Sequence, residues 1–440
     1  MKAREAVFVS LQKYETGSKY LNIEADAAIR RNALQGADRA LYTALLYGTV
    51  ERRITLDYIL SLLSDRPLEQ IDPNIRRILR LSLYQLCYMD RIPAYAVLYD
   101  AGALTRRFAR NDAVPFVNAV LRAYLRRKAT LPFPKQTEDP IQYLSITYAY
   151  PAWLCDLFVR QYGLSRTEKI LHGFSVPPTL TLFTNTQRLS REELLRRLMQ
   201  DGIDAIPTTY SPYGVRLREH VPLSEISPLQ QGLCFVQDEA SQIAACALGA
   251  LPGDTVLDAC ACPGGKSFAT ALCMQNRGTL IACDLHENKL ALVQRGAQAL
   301  GLDCIQTQQR DSGVPDTALL QAFDRVLCDV PCSGLGVLSK KPDIRDKDPT
   351  SIARLPDVQK RILDACAPYV KPGGTLLYAT CTLNAAENEE QIQAFLQRNP
   401  LFQKDSFSIG TRLCNGYATL LPDEMPGLDG FYIAKLRRMQ

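Results

Sequence analysis

The chain has 440 residues, 47% of them apolar and 22% charged, with a formal net charge of +5. That length exceeds one ordinary core and implies two or three domains, and the composition is that of a soluble globular protein. No run approaches the roughly 18 apolar residues of a membrane span, and the opening MKAREAVFVSLQKYE is charged through its would-be apolar stretch, unlike a secretory signal. The 14 cysteines lack the spacing of a disulfide-stapled domain, so a reducing cytoplasm is the expected home. No CxxC occurs, Cys260 and Cys262 are too close for common zinc spacing, and the histidines are His172, His220 and His286. No metal site is expected.

Residues 1–130 read as all-helical, with apolar residues at helical period around 5–13, 38–47, 54–63, 74–87, 94–108 and 114–128. They carry 21 Lys+Arg against 13 Asp+Glu, a net +8, whereas the remaining residues carry 30 against 33, a net −3. Within 101–130 there are seven basic residues and one acidic. Such a patch fits a polyanion partner, and it equally fits a solvated helix face. The stretch ATLPFPKQTEDP (129–140) holds three prolines and reads as linker, placed at 131–142.

Residues 143–240 read as a small α/β connector. TLTLFTN (179–185), GVRLREH (214–220) and GLCFVQD (232–238) are strand-like, and SREELLRRLMQDG (190–202) opens on a capping box, Ser190 to Glu193. From 241 to 440, strands alternate with helices in the manner of a doubly wound, Rossmann-like α/β sheet. The expected strands are TVLDA (255–259), GTLIACD (278–284), CIQTQQRD (304–311), RVLCDV (325–330) and TLLYATC (375–381), with a last hairpin including GFYIAKLRR (430–438).

Ligands of such sheets bind beyond the carboxyl ends of the strands. The turn Cys260, Ala261, Cys262, Pro263, Gly264, Gly265, Lys266 follows the first of these strands. It is not GxGxxG, so a dinucleotide is poorly supported, but its proline and glycines suit close backbone approach to a ligand. A helix starting near Ser267 would offer N–H groups to a carboxylate or phosphate. Asp284, at the end of the second strand, is placed for ribose hydroxyls, and Asp311, at the end of the third, for an adenine amino group. Each alone reads as a cap or loop residue; together they describe a nucleoside site. With no arginine arranged for extra phosphates, S-adenosylmethionine is favoured over NADP.

Two thiols follow the next strands into the same crevice, Cys332 in DRVLCDVPCSG (324–334) and Cys381 in GTLLYATCT (374–382). Amine methyltransferases often carry an aromatic where DVPCS has its thiol. Carbon 5 of a pyrimidine is a poor nucleophile, and a thiolate added at carbon 6 makes it an enamine-like one. Asp329 could hold the ring nitrogen and exocyclic amine. Cysteines are more often packing, the reading given to Cys260, Cys283 and Cys328. The flanking Pro331 and Thr380 suggest exposed turns for the other two. The residues alone leave open which thiol attacks.

CACPGGK, DVPCSG followed by SKKPDIR, and YATCTLNAAENE together resemble the RNA 5-methylcytosine methyltransferase family. GADRALYTALLYGTVERR (36–53), RIPAYAVLYDAGAL (91–104) and FVNAVLR (116–122) are similar to a NusB-type RNA-binding domain, and FVQDEAS (235–241) and LDGFYIAKL (428–436) extend the match to the Sun/Fmu-type branch. The resemblance implies Cys381 as nucleophile, Cys332 assisting breakdown and product release, and Asp329 contacting cytosine near the methyl donor. It implies that residues 260–266, Asp284 and Asp311 hold S-adenosylmethionine. The implied substrate is a flipped or unpaired cytosine of 16S ribosomal RNA, with no DNA, membrane or obligatory protein partner. Two departures stand out: Cys262 in place of alanine, and Lys340-Lys341 before Pro342 in place of a basic-His pair, with no Trp after Ile344-Arg345. That loop is expected to touch RNA. The rivals are the same chemistry on transfer or large-subunit RNA, a thiol-dependent NAD oxidoreductase, and a non-catalytic RNA-binding factor.

Overall fold

A computed structural model describes residues 3–17, 21–176, 178–219 and 221–440. It divides into two compact units, Met1–Leu171 with Lys341–Lys347, and His172–Lys340 with Asp348–Gln440. Among the described residues no helix is long and apolar enough to cross a membrane.

The first unit is built from α1 (Ala3–Glu15), α2 (Leu21–Arg31), α3 (Gly36–Glu51), α4 (Arg53–Leu63), α5 (Pro73–Tyr88), α6 (Ala94–Phe108), α7 (Val114–Arg127), α8 (Pro140–Tyr148) and α9 (Ala152–Tyr162), and the unit boundary falls within α10 (Leu164–Gly173). Helix α2 escapes sequence reading because its buried face is Leu21, Glu24, Ala25 and Ala28, a weakly apolar stripe. Start signals act as expected: the Asp72 carboxylate accepts from the N–H of Asn74 and Ile75 with Pro73 in the first turn, and Asp139 caps α8 ahead of Pro140. The proline-rich stretch therefore ends in a helix cap. Phe8, Tyr42, Leu46, Ile78, Leu83 and Leu121 are fully buried in the core, each contributing about 1.5–3 kcal/mol by leaving water. Gly48 lets α3 meet α5, since a Cβ there would fall 2.0 Å from the Tyr84 ring. The seven basic residues of 101–130 are all exposed.

Lys341–Lys347 is held within this unit. Arg345, expected on an RNA-facing loop, is buried. Its Nη1 donates to the carbonyls of Glu51 (2.6 Å) and Ala149 (3.0 Å), and its guanidinium lies 4.1 Å from the Tyr150 ring centroid. Lys341 and Lys347 remain exposed.

The second unit opens with β1 (Thr181–Thr184), α11 (Arg191–Gln200), β2 (Ala205–Pro207), β3 (Gly214–Leu217), α12 (Ser227–Gln230) and β4 (Cys234–Val236). The strands form an antiparallel sheet in the order β2-β3-β1-β4. The Ser190 hydroxyl accepts from the Glu193 N–H at 3.1 Å, as the capping pattern requires. His220, in the strand expected over 214–220, lies outside the described residues.

There follow α13 (Glu239–Ala247), β5 (Thr255–Asp258), α14 (Gly265–Cys273), β6 (Thr279–Asp284), α15 (Glu287–Leu300), β7 (Ile305–Gln309), β8 (Phe323–Asp329), α16 (Pro349–Ile352), α17 (Leu355–Cys366), β9 (Val370–Thr380) and α18 (Glu389–Arg398). The chain ends with β10 (Phe402–Lys404), β11 (Ser406–Ile409), β12 (Arg412–Asn415), β13 (Tyr417–Leu420) and β14 (Phe431–Arg438). The main sheet runs β10-β14-β9-β8-β5-β6-β7, with β13 on β14. Strands β5 to β9 pair in parallel, while β14 pairs antiparallel with β9, β10 and β13. Apolar clusters cover both faces, as a parallel sheet requires. From β5 the chain steps outward to β6 and β7, then returns to place β8 on the other side of β5. The strand order therefore reverses between β5 and β8, and the crevice of such a sheet opens there.

Candidate active site

The turn after β5 is organised by a carboxylate that sequence reading missed. Asp258 is buried, accepts from the Ser267 hydroxyl at 2.6 Å and takes a longer contact from the Cys260 N–H at 3.4 Å. Burial, with the charge of Asp329, pushes its carboxyl up to about 7. The Cys262–Pro263 peptide is cis. Gly264 has φ +112°, and a Cβ on it would fall 2.5 Å from the Phe268 ring, so only glycine fits. Helix α14 begins at Gly265, two residues before the expected start, with no side chain capping it.

Asp284 lies at the end of β6, and Asp311 two residues beyond β7. Each uses one oxygen locally: Asp284 accepts from the His286 N–H and Asp311 from the Gly313 N–H, both at 2.9 Å. The cap reading and the nucleoside reading are thus compatible. Carboxylates at neighbouring strand ends, beside an uncapped helix N-terminus, are a donor and acceptor set that fits a zwitterionic nucleoside.

Beyond β8 and β9 the two thiols meet, with Cys332 Sγ 3.3 Å from Cys381 Sγ. Both are half-buried. Thr380 is not on an exposed turn as expected: it is fully buried as the last residue of β9, and its hydroxyl bonds to Asn388 Oδ1 at 2.5 Å. The bond with Cys381, burial, and the charges of Glu387 and Asp329 hold the Cys332 thiol well above its usual value. Cys283 and Cys328 are buried packing residues, Cys260 is half-buried, and among the described residues no cysteine is in a disulfide. Lys266, assigned from sequence to the cofactor turn, reaches across the switch point and donates to Asp329 Oδ2 at 2.7 Å. Burial opposes its charge, but Asp329, then Cys381 and Asp258, hold its ammonium above the usual lysine range.

The loop after Cys332 is locked by glycines and a lysine. The Gly336 N–H donates to the Cys381 carbonyl at 3.0 Å, and the Gly430 N–H to the Gly336 carbonyl at 2.7 Å. Lys340, one of the departing pair, bonds to Asp429 at 2.8 Å and also to Asp238. Half-buried, it ties together three segments. Among the described residues no His, Cys, Asp or Glu group could hold a metal.

A doubly wound sheet with this turn and paired carboxylates is the framework of a nucleoside-dependent methyltransferase. Residues 245–437 match the family model "16S rRNA methyltransferase RsmB/F", 1–126 the NusB family, and 150–224 a ferredoxin-like domain of RsmF/B-like methyltransferases. The chain is 36% identical to "Probable ribosomal RNA small subunit methyltransferase B" of Bacillus subtilis (strain 168), over 99% of this chain and 98% of the relative. It is 32% identical to ribosomal RNA small subunit methyltransferase B of Pseudomonas putida, over 99% and 98%. The solved structure of PH0851 shares the fold (TM-score 0.81, 23% identity, 99% of this chain and 97% of that one). The chain belongs to the RsmB/F family of ribosomal RNA methyltransferases, with a NusB-type domain at its front. Its methyl donor is S-adenosylmethionine. These comparisons lend the oxidoreductase reading no support.

Proposed function

We propose that the protein methylates carbon 5 of a cytosine in 16S ribosomal RNA through a covalent thiol intermediate, with Cys381 as nucleophile. The observation that carries this reading is the 3.3 Å approach of the two thiols at the ends of β8 and β9, beside Asp329 and Lys266. A lone buried cysteine needs no such company. The family description and the relatives' names, both of the small subunit, support the 16S substrate.

The Gly264–Lys266 backbone, Asp284 and Asp311 would hold S-adenosylmethionine, whose sulfonium supplies an electrophilic methyl group. The Cys332 thiol, kept protonated, donates to Cys381 Sγ and favours its thiolate, as does the Lys266 ammonium. The Cys381 thiolate forms an S–C6 bond with the ring, and electron density moves to C5. Asp329 binds the ring nitrogen and amine as charge redistributes. C5 gains the methyl group, loses its proton to a base, and the S–C6 electrons return to sulfur as the bond breaks. Dividing one difficult substitution into addition, transfer and elimination lowers the highest barrier.

The organisation proposed is a basic helical RNA-binding domain (1–130), a linker (131–142), a connector (143–240) and the catalytic domain (241–440), working in the cytoplasm without an obligatory protein partner. The exposed basic residues of 101–130 would grip phosphates, with affinity falling as salt rises. The test is nucleoside mass spectrometry of unmodified 16S RNA incubated with enzyme and donor. One new 5-methylcytidine is expected. Methylation at another base or atom, or on transfer RNA alone, would overturn the assignment.

A further inference from the structure

Next to each thiol stands a hydroxyl residue, Ser333 after Cys332 and Thr382 after Cys381, and both hydroxyls converge on one fully buried carboxylate, Glu387. Glu387 Oε1 accepts from the Ser333 hydroxyl at 2.5 Å and from Asn384 Nδ2 at 3.1 Å. Its Oε2 accepts from the Ser333 N–H at 2.8 Å and Gln359 Nε2 at 2.9 Å. Ser333 Oγ and Thr382 Oγ1 are 2.7 Å apart. The Thr382 hydroxyl also makes a longer contact, 3.5 Å, as donor to Glu387 Oε1. Gln359 also donates to the Pro331 carbonyl at 3.0 Å, and the Glu387 carbonyl accepts from the Tyr378 hydroxyl at 2.6 Å. One residue, through its carboxylate and its backbone carbonyl, thus links the β8 loop, the β9 loop, α17 and β9.

We infer that Glu387 is a positioning residue for methyl transfer: it fixes the loops of Cys332 and Cys381 in register and keeps Cys332 in the thiol form that donates to Cys381. The inference rests on the two-thiol reading above. A buried ion needs strong compensation, and five donors from two loops and a helix provide it here. A neutral amide could not take its place unchanged, because each carboxylate oxygen accepts from at least two donors and an amide nitrogen accepts none. The carboxylate also adds negative charge near Cys332, which opposes formation of a second thiolate. The other ionisable groups around Cys332 are Cys381, Asp329 and Tyr378, with Lys266 beyond Cys381.

Two variants of the full chain are compared. Glu387→Gln keeps the size, removes the charge and replaces one acceptor with a donor; Ser333→Ala loosens the brace and keeps the charge, so a Cys332 shift in the first alone reports the charge. Both should retain S-adenosylmethionine affinity by calorimetry, which reports folding of the catalytic domain. Glu387→Gln should lower kcat for RNA methylation at least about tenfold, with KM for RNA little changed. The pH midpoint for iodoacetamide alkylation of Cys332, read by peptide mass spectrometry, should move down in Glu387→Gln and not in Ser333→Ala. Wild-type kcat in Glu387→Gln, or an unmoved Cys332 midpoint, would overturn the inference. Cys332→Ala mixed with RNA is the control for the underlying reading: an adduct there with wild-type behaviour in Glu387→Gln sinks only the Glu387 role, and no adduct there sinks the two-thiol reading itself.

Discussion

Gly336→Ala should cripple catalysis without touching a reacting group. The added Cβ would sit 1.8 Å from the Gly430 carbonyl oxygen, 2.6 Å from its carbon and 2.9 Å from the Cys381 carbonyl oxygen. All three are backbone atoms, so no side chain can swing aside. Reaching ordinary contact requires a movement of about 1.5 Å in the Cys332 loop, the Gly430 loop or both. That displacement disturbs the bonds Gly336 N–H to Cys381 O and Gly430 N–H to Gly336 O, at about 1 kcal/mol each. Overpacking adds about 1–3 kcal/mol, for a total of about 3–5 kcal/mol of stability. Because a misplacement of about 1 Å at a reacting group can cost about a hundredfold, kcat should fall by about that factor. Thermal melting and single-turnover methylation of 16S RNA measure the two effects. A variant with unchanged melting and more than half of wild-type kcat would refute the argument that Gly336 sets the spacing of the thiol loops.

Lys266→Met should cost about 2 kcal/mol of stability, below the usual range for a fully buried pair because Asp329 keeps 27% exposure. Lys266→Met combined with Asp329→Asn should recover part of that loss in chemical denaturation; strict additivity would count against a coupled pair. Asp258 gives a pH effect of definite sign. Folded, it holds its proton to about pH 7, whereas its ordinary value is 3.8, so its contribution is most favourable below about pH 4 and declines as pH rises towards 7. The stability of Asp258→Asn relative to wild type should therefore rise across that window, by a few kcal/mol at most; a flat difference would contradict the assignment.

The sheet was legible because its strands are short, apolar and β-branched between turn residues, as in TVLD and TLLYAT, and because helices alternate with them. The helical front was legible from its periodic faces, except α2, whose alanine-rich stripe carries little hydrophobic signal. The two thiols and the turn proposed for the cofactor stood out in the sequence because they follow strands. What stayed hidden was the bracing. Asp258 reads as the end of a strand, Glu387 as one acid among several in AAENEE, and Lys340 as a surface charge, because their partners are distant in sequence. Ser333 is 54 residues from Glu387, and Lys340 is 102 from Asp238. Arg345 misled for the same reason, since its carbonyl partners at Glu51 and Ala149 are about 290 and 200 positions away. Thr380 misled because a residue next to an active-site turn can still be the last buried position of its strand.

The central claim is that Cys381 attacks and Cys332 assists. Cys332→Ala and Cys381→Ala proteins, each incubated with unmodified 16S RNA and S-adenosylmethionine, would be run under denaturing conditions to detect protein–RNA adducts. The account predicts an adduct that accumulates with Cys332→Ala and none with Cys381→Ala. An adduct with Cys381→Ala and none with Cys332→Ala would contradict the assignment and exchange the two roles.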